Sequence, residues 1–227
     1  MNDIQLSMAR TSDKQHTITC LYEAAPQFVF GVITDPILIP EWWGSAAMTT
    51  TVEQLDLRPG GSWRFIQRHP AGTQYTFHGT YQEVIPAEQL VYTFEFEGMP
   101  GHILFETVTF TPQGRKTLLT DITTFHSAED LDAVLVAGME AGMQESMQRF
   151  AALLVRLKQQ AANESSLPKG LSNPARRALT GAGIEKIEQL AQHTEAEVKE
   201  LHGIGPSAMD LLRSAMTARG LSFTDAK

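Results

Sequence analysis

The chain has 227 residues, 42% hydrophobic and 19% charged, which predicts a packed globular protein with room for one large domain or a medium one plus a small one. No apolar run approaches the roughly 20 residues needed to cross a bilayer. The single cysteine, Cys20, excludes an intrachain disulfide framework and fits a reducing, cytoplasmic setting. The formal net charge of −8 is unevenly spread: residues 1–162 carry 10 Lys and Arg against 18 Asp and Glu, while residues 163–227 carry 8 of each. An acidic front part repels phosphate polymers, so any nucleic-acid contact would fall to the tail.

Residues 1–14 lack the apolar core of a signal peptide and read as a flexible tail. A first strand is expected over 16–23, with Ile18, Cys20 and Tyr22 on one face. Ala25-Pro26 opens a helix whose apolar face is Phe28, Val29, Val32 and Ile33. Thr34-Asp35-Pro36 ends it, and a short helix kinked at Pro40 surrounds Ile37 to Trp43. From Thr49 the period changes to two. Strands are predicted near 50–57, 62–68, 74–85, 89–97, 102–111 and 116–125, punctuated by Gly- and Pro-rich turns such as Arg58-Pro59-Gly60-Gly61 and Gly98-Met99-Pro100-Gly101. Short connections make these six an antiparallel meander. Ser127 with Asp130 forms a capping box, and a long helix follows. On that helix Met139, Met143, Met147, Phe150, Leu154 and Leu157 share a face, and 139–157 would extend about 27 Å. Gln159 to Ser166 reads as part of a linker over 159–167. The remainder is helical in pattern, near 173–181, 184–191, 194–201 and 206–219, with Thr194 and Glu197 as a second capping box.

A curved sheet closed by one helix leaves space between them, which is filled core or ligand cavity according to side-chain volume. Trp63 and Phe65 share one strand face, and Leu90, Tyr92, Phe94 and Phe96 share another. Opposite stand the flexible methionines. Trp42 and Trp43 mark the helical corner.

The run Ala25-Pro26 through Thr34-Asp35-Pro36 to Glu41-Trp42-Trp43-Gly44 resembles the SRPBCC (START-like) superfamily, and more narrowly its Aha-type branch, named for an activator of a chaperone ATPase. Arg58 to Phe65, His78 to Pro86, Leu90 to Phe94 and the helix from Gly138 to Leu157 extend the resemblance over about residues 15–158. It implies an α+β helix-grip fold, a curved antiparallel sheet wrapped on a long C-terminal helix, with a hydrophobic cavity between. Relatives bind lipids, polyketides, plant hormones or flavonoid-like molecules, and some are cyclases. Where this branch often begins the closing helix Gly-Trp, this chain has Gly138-Met139, which removes an aromatic wall. The expected ligand-facing residues are Trp42, Trp43, Trp63, Phe65, Phe77, Tyr92, Phe94, Phe96, His102, Met139, Met143 and Met147.

General acid–base chemistry needs a titratable group held against a reacting atom. His78, His102, Glu106, Arg64 and Asp121 are candidates, but no spacing among them marks a dyad or triad, and no histidine pair has metal-ligand spacing. The expectation is binding of a hydrophobic small molecule without catalysis, without cofactor and without metal.

Residues 168–227 resemble the helix-hairpin-helix domain at the C-terminus of the RNA polymerase alpha subunit. The carrying residues are Leu171 to Leu179, Gly183-Ile184, Leu190, Thr194-Glu195, Val198, Leu201, Gly203-Ile204-Gly205, Leu212 and Arg219 to Ser222. The resemblance implies a small all-α domain and a phosphate nest at Gly203 and Gly205, with Arg176 and Arg177 nearby. Against DNA contact stand Pro206 and Ser207 where that relative carries lysines, Pro174 in place of an arginine, and the zero net charge. The tail is therefore expected to serve as an interaction element, with a protein partner favoured over nucleic acid. Three alternatives stay open: a co-chaperone-like interaction domain, a polyketide cyclase-type enzyme, and a ligand-responsive nucleic-acid binder.

Overall fold

The structure, a computed structural model, describes residues 5–164 and 166–224. These fall into two compact units divided between Arg156 and Leu157.

In the first unit eight antiparallel strands form one sheet in the order β1-β2-β8-β7-β6-β5-β4-β3. The strands are β1 (Gln5–Arg10), β2 (Gln15–Tyr22), β3 (Thr49–Leu55), β4 (Ser62–Arg68), β5 (Gln74–Ile85), β6 (Gln89–Phe96), β7 (Leu104–Gln113) and β8 (Lys116–Thr124). The six expected meander strands are β3 to β8, each paired with its chain neighbour. Helices α1 (Pro26–Ile33) and α2 (Ile39–Trp42) separate them from β2, whose inward residues alternate strictly with outward ones. Pro26 and Pro40 both occupy first-turn positions, where a missing N–H has no intrahelical acceptor, so Pro40 starts a helix rather than kinking one.

The expected flexible tail is corrected over Gln5–Arg10, which pairs with β2 from Gln5↔Leu21 to Arg10↔His16. Its alternation of Leu6, Met8 and Arg10 with Gln5, Ser7 and Ala9 is too weak to mark a strand. The Arg10 guanidinium fixes its end by bonding Asp132 at 2.5 Å. Residues 1–4 lie outside the described residues.

The long helix is two. Ser127 caps α3 (Ala128–Val136), its hydroxyl accepting from the Asp130 N–H. Gly138, at φ +87°, then turns the chain into α4 (Met139–Glu164). α4 continues through most of the expected linker, because Gln159, Gln160, Ala161 and Ala162 are good helix formers. Residue 165 lies outside the described residues. The α4 face bearing Met147, Phe150, Leu153 and Leu154 is buried. Phe150 meets the ring edges of Tyr22 and Trp42 at centroid distances of 5.2 and 4.9 Å.

The second unit contains α5 (Asn173–Gly181), a 3-10 turn (Ile187–Gln192), α6 (Glu195–Glu200) and α7 (Pro206–Thr217). Leu171, Ala175, Leu179, Ile184, Ile187, Leu190, Val198, Met209, Leu212 and Met216 pack as its core. Thr194 caps α6 reciprocally with Glu197, the Thr194 N–H reaching Glu197 Oε2 at 2.7 Å. Two isolated β-bridges, Ser166↔Lys186 and Thr194↔Thr224, accompany the helices.

Candidate functional site: an aromatic wall ending in two buried acids

The site is built on the inner face of the sheet. Alternation along β4, β5 and β6 places Trp63 and Phe65, Tyr75, Phe77 and Tyr81, and Tyr92, Phe94 and Phe96 on that face. Their rings touch in a continuous chain. Trp63 meets Phe65, Tyr92 and Phe94 at 4.9, 5.9 and 5.5 Å. Phe77 meets Phe94 and Phe96 at 5.5 and 5.2 Å. Such pairs are worth about 0.5–1.5 kcal/mol each beyond the area they bury.

Trp63 is positioned by a glycine notch. The indole N–H donates to the Thr93 carbonyl at 3.2 Å, and a Cβ on the intervening Gly79 would lie 1.7 Å from that oxygen. The β5–β6 register accordingly runs Phe77↔Phe96 and His78↔Glu95, then resumes at Tyr81↔Tyr92.

The helical corner is clamped to α4. The Gly44 N–H donates to Ser146 Oγ at 3.0 Å, and the Arg149 guanidinium donates to the Gly44 and Glu41 carbonyls at 2.6 and 2.8 Å. Gly44 has φ +83°, and a Cβ there would strike the Gln67 side chain. This turn sends the two tryptophans opposite ways. Trp42 is buried against Phe150, and Trp43 stands on Phe65 and Phe77 at 5.3 and 5.2 Å.

Accessibility is graded across this face. The inward residues of β2 and β8, His16 to Tyr22 and Thr117 to Thr123, are all buried, as are Glu106, Val108 and Phe110 of β7. Trp43, Phe77, Tyr92, Phe94 and Phe96 are partly exposed although they point to the same side, and so are Met139 and Met143. Met147 is buried, its sulfur accepting from the Tyr22 hydroxyl at 3.2 Å.

Apart from His102, the residues expected to face a ligand lie on these inner surfaces, at the helical corner or on the α4 methionine stripe. His102 is the correction. It lies in the β6–β7 connection, ahead of the strand start at Leu104, and its exposed ring bonds Asp130 at 3.0 Å. His78 and Arg64 also point outward, His78 beside Glu95 and Arg64 between Glu97 and Glu53.

The two remaining acid–base candidates converge. Glu106 on β7 and Asp121 on β8 are buried together; burial raises both carboxyls, Asp121 raises Glu106 further, and the hydrogen bond with Glu106 and the charge of His16 hold the Asp121 rise to about 6. The Thr123 hydroxyl donates to Glu106 Oε2 at 2.9 Å. Register sets Glu106 opposite Tyr92 on one side and Thr123 on the other, and Thr123 opposite His16. The Tyr92 hydroxyl is raised by burial first and by the two acids second, so the aromatic wall runs into the acid pair. His16, fully buried, places Nε2 3.0 Å from Glu140 Oε1 of α4. Chemically, a protonated pair can donate a hydrogen bond or a proton, and an ionised one can hold a cation. Sequence spacing missed the pair because the β7–β8 register, not separation along the chain, brings the two residues together. Among the described residues no group of three His, Cys, Asp or Glu side chains has the geometry to hold a metal ion.

In the second unit Gly203, at φ +110°, lies where a Cβ would be 2.9 Å from the Pro174 carbonyl oxygen, so it serves close packing of the hairpin on α5. Gly205 caps α7 with open space around it. The Arg176 guanidinium donates to the Pro168 carbonyl at 3.0 Å, while Arg177 is exposed.

Comparison with solved structures shows the same fold. Protein CV1439 from Chromobacterium violaceum superposes with a TM-score of 0.57 at 25% identity, over 63% of this chain and 98% of that one. Protein Ms6760 from Mycobacterium smegmatis gives 0.61 at 25% identity, over 67% and 97%. A Rhodobacter sphaeroides protein gives 0.63 at 20% identity, over 67% and 99%. No curated protein matches the chain. Among the described residues no helix is long and apolar enough to cross a membrane. Residues 23–155, more than half of the sequence, match the family described as Activator of Hsp90 ATPase homolog 1-like protein, and the chain belongs to that family.

Proposed function

We propose that the first unit binds a hydrophobic or aromatic small molecule between the inner face of its sheet and α4, without catalysis. One observation carries this reading. Phe77 of β5 and Tyr92, Phe94 and Phe96 of β6 keep exposed surface, whereas the inward positions of β2 and β8, and Glu106, Val108 and Phe110 of β7, are closed. Apolar surface left accessible inside a fold is surface that a guest can remove from water, at about 25 cal/mol per Å². The half-buried Met139 and Met143 suit such a site because methionine adapts to varied shapes.

The test is titration of the full chain with the neutral, polarity-sensitive fluorophore Nile red. Saturable 1:1 enhancement is expected, weakened at least tenfold by Phe94→Glu. Non-saturable or absent enhancement with tens of micromolar folded protein would overturn the reading.

We read the second unit as a helix-hairpin-helix interaction element with a protein partner. Support comes from α6 and α7 joined by the short Leu201–Gly205 connection, with Gly203 packed on Pro174. Its neutral charge and the engagement of Arg176 with Pro168 argue against phosphate binding. A low-salt mobility shift with the full chain on duplex DNA should show no complex. A shift lost in Arg177→Ala would reverse the choice of partner.

A further inference from the structure

We infer that the outer face of the sheet, across β1, β2, β8, β7 and the start of β6, is the surface on which two copies of this chain pack face to face about a two-fold axis.

Helices α1 and α4 meet the sheet through its inward residues, Phe30 on Phe110 and Phe150 on Tyr22. The opposite face is continuous across five strands. One cross-strand row runs Ser7, Thr19, Thr120, Thr109 and Gln89, and the next runs Ala9, Thr17, Ile122, Thr107 and Val91. Among the described residues no acid or base stands inside this area. Charge returns at its borders, with Lys116 at the end of β8, Glu83 opposite Val91 and Glu95 beyond Thr93. Past that border the outer face is densely charged, with Arg64 between Glu53 and Glu97. The uncharged area also carries a projection and a hollow. Phe105, at one end of β7, is 49% exposed. Toward the other end Gln5, Ser7, Thr19, Leu21, Gln113 and Leu118 line a groove of about 320 Å³.

Charge selects the occupant. Residues 1–162 carry 10 Lys and Arg against 18 Asp and Glu, so two copies repel in most orientations. This face is where they can meet without opposing acids, and interface cores are depleted of charge in the same way. Threonine suits the contact of a surface with itself. In a two-fold interface each side supplies the groups it also receives, and a hydroxyl both donates and accepts.

Shape selects the same occupant. An axis running across the strands, between the Thr107 row and the Thr109 row, lies equally far from Phe105 and Thr111 on β7. It therefore sets Phe105 of one copy over Thr111 of the other. Thr111 pairs with Leu118, and Leu118 with Leu21, so the projecting ring arrives at the groove, twice per dimer. Facing sheets pack about 10 Å apart and within roughly 30° of parallel, which this arrangement permits. Five strands about 4.8 Å apart and six steps of about 3.4 Å give roughly 480 Å² per copy, close to 1,000 Å² for the pair before side-chain relief is counted. That reaches the lower bound for a specific interface and suits a reversible dimer.

Sedimentation equilibrium of the full chain, from micromolar to hundreds of micromolar, should show the mass rising from one chain toward two. Thr120→Glu brings like charges together near the axis and should weaken association at least tenfold. Thr120→Lys should do the same, and an equimolar mixture of the two variants should recover it. Phe105→Cys combined with Leu118→Cys tests the orientation. Within one chain these positions are about 20 Å apart along the strands, beyond the reach of a short bismaleimide. Cys20 is buried, so the reagent should form covalent dimers with the double variant and with neither single one. Should the Thr120 variants fail to fold, native sedimentation and this crosslink decide. A native chain that stays monomeric at the highest concentration would overturn the interface. So would a dimer that both Thr120 variants leave intact, or one in which the double variant gives no crosslink, because the copies would then meet elsewhere or in another orientation.

Discussion

The Tyr22 hydroxyl donates to the sulfur of Met147 at 3.2 Å, and the Tyr22 ring meets Phe150 edge-on one turn further along α4. This contact joins the strand that closes the inner face to the helix that grips it. Burial pushes the Tyr22 hydroxyl well above its ordinary value, so it stays a donor across the accessible pH range. Tyr22→Phe, which removes only the donor, should cost about 1 kcal/mol. Met147→Ala opens a cavity and should cost about 2–5 kcal/mol. Urea unfolding measures both. A Tyr22→Phe loss equal to the Met147→Ala loss would mean that the hydrogen bond holds strand and helix together as firmly as the packing does.

Glu106 and Asp121 make stability depend on pH in a defined direction. In the unfolded chain they ionise near 4.5 and 3.8, while in the fold burial keeps them protonated to higher pH. The unfolded state thus binds fewer protons above pH 4, and the pair's contribution, complete below that pH, is lost as pH rises through the raised folded values. The native melting temperature should therefore fall between pH 5 and pH 8 relative to the Glu106→Gln, Asp121→Asn double variant. The gap at pH 8 should be on the order of 1–3 kcal/mol, or several degrees. A parallel pair of pH profiles would show that the acids are not held protonated.

Trp63 reports on the Gly79 notch. An alanine there would place Cβ 1.7 Å from the Thr93 carbonyl and 2.7 Å from the indole nitrogen, contacts that backbone cannot yield cheaply. Gly79→Ala should destabilise the protein by more than about 3 kcal/mol. If it folds, it should red-shift the tryptophan emission as Trp63 leaves its carbonyl partner. An unshifted spectrum with native stability would mean that β5 and β6 can separate at this point freely.

Period-two patterns and Gly-Pro turns made the meander legible: β4 and β5 match their predicted spans residue for residue. So did the aromatic wall, because inward and outward residues on one strand are separated by parity alone. What the sequence hid was pairing. Glu106 and Asp121 are 15 positions apart, and only the β7–β8 register joins them. His102 failed for the opposite reason, since it lies in a loop where alternation has no meaning. β1 escaped because an edge strand exposes most of its side chains and needs no apolar stripe. The linker failed because a polar run need not be irregular, and Gln and Ala extend a helix well.

The two hairpin glycines of the second unit, equivalent in sequence, separate by geometry. Gly203 combines φ +110° with a Cβ position 2.9 Å from the Pro174 carbonyl oxygen and 3.3 Å from the Pro174 Cβ. Alanine there meets both a disfavoured backbone conformation and a hard contact with α5, and should cost about 1–3 kcal/mol. Gly205 has φ −106°, and a Cβ added there would have no atom within 4 Å. Alanine at this N-cap loses some capping preference, but it also reduces the freedom of the unfolded chain. The net change should stay within about 1 kcal/mol. Amide hydrogen exchange in the full chain separates the two, because Gly203→Ala should accelerate exchange in α5 and α7 while Gly205→Ala leaves both protected. Equal acceleration by the two variants would mean that the hairpin's conformation, rather than its approach to Pro174, holds these helices together.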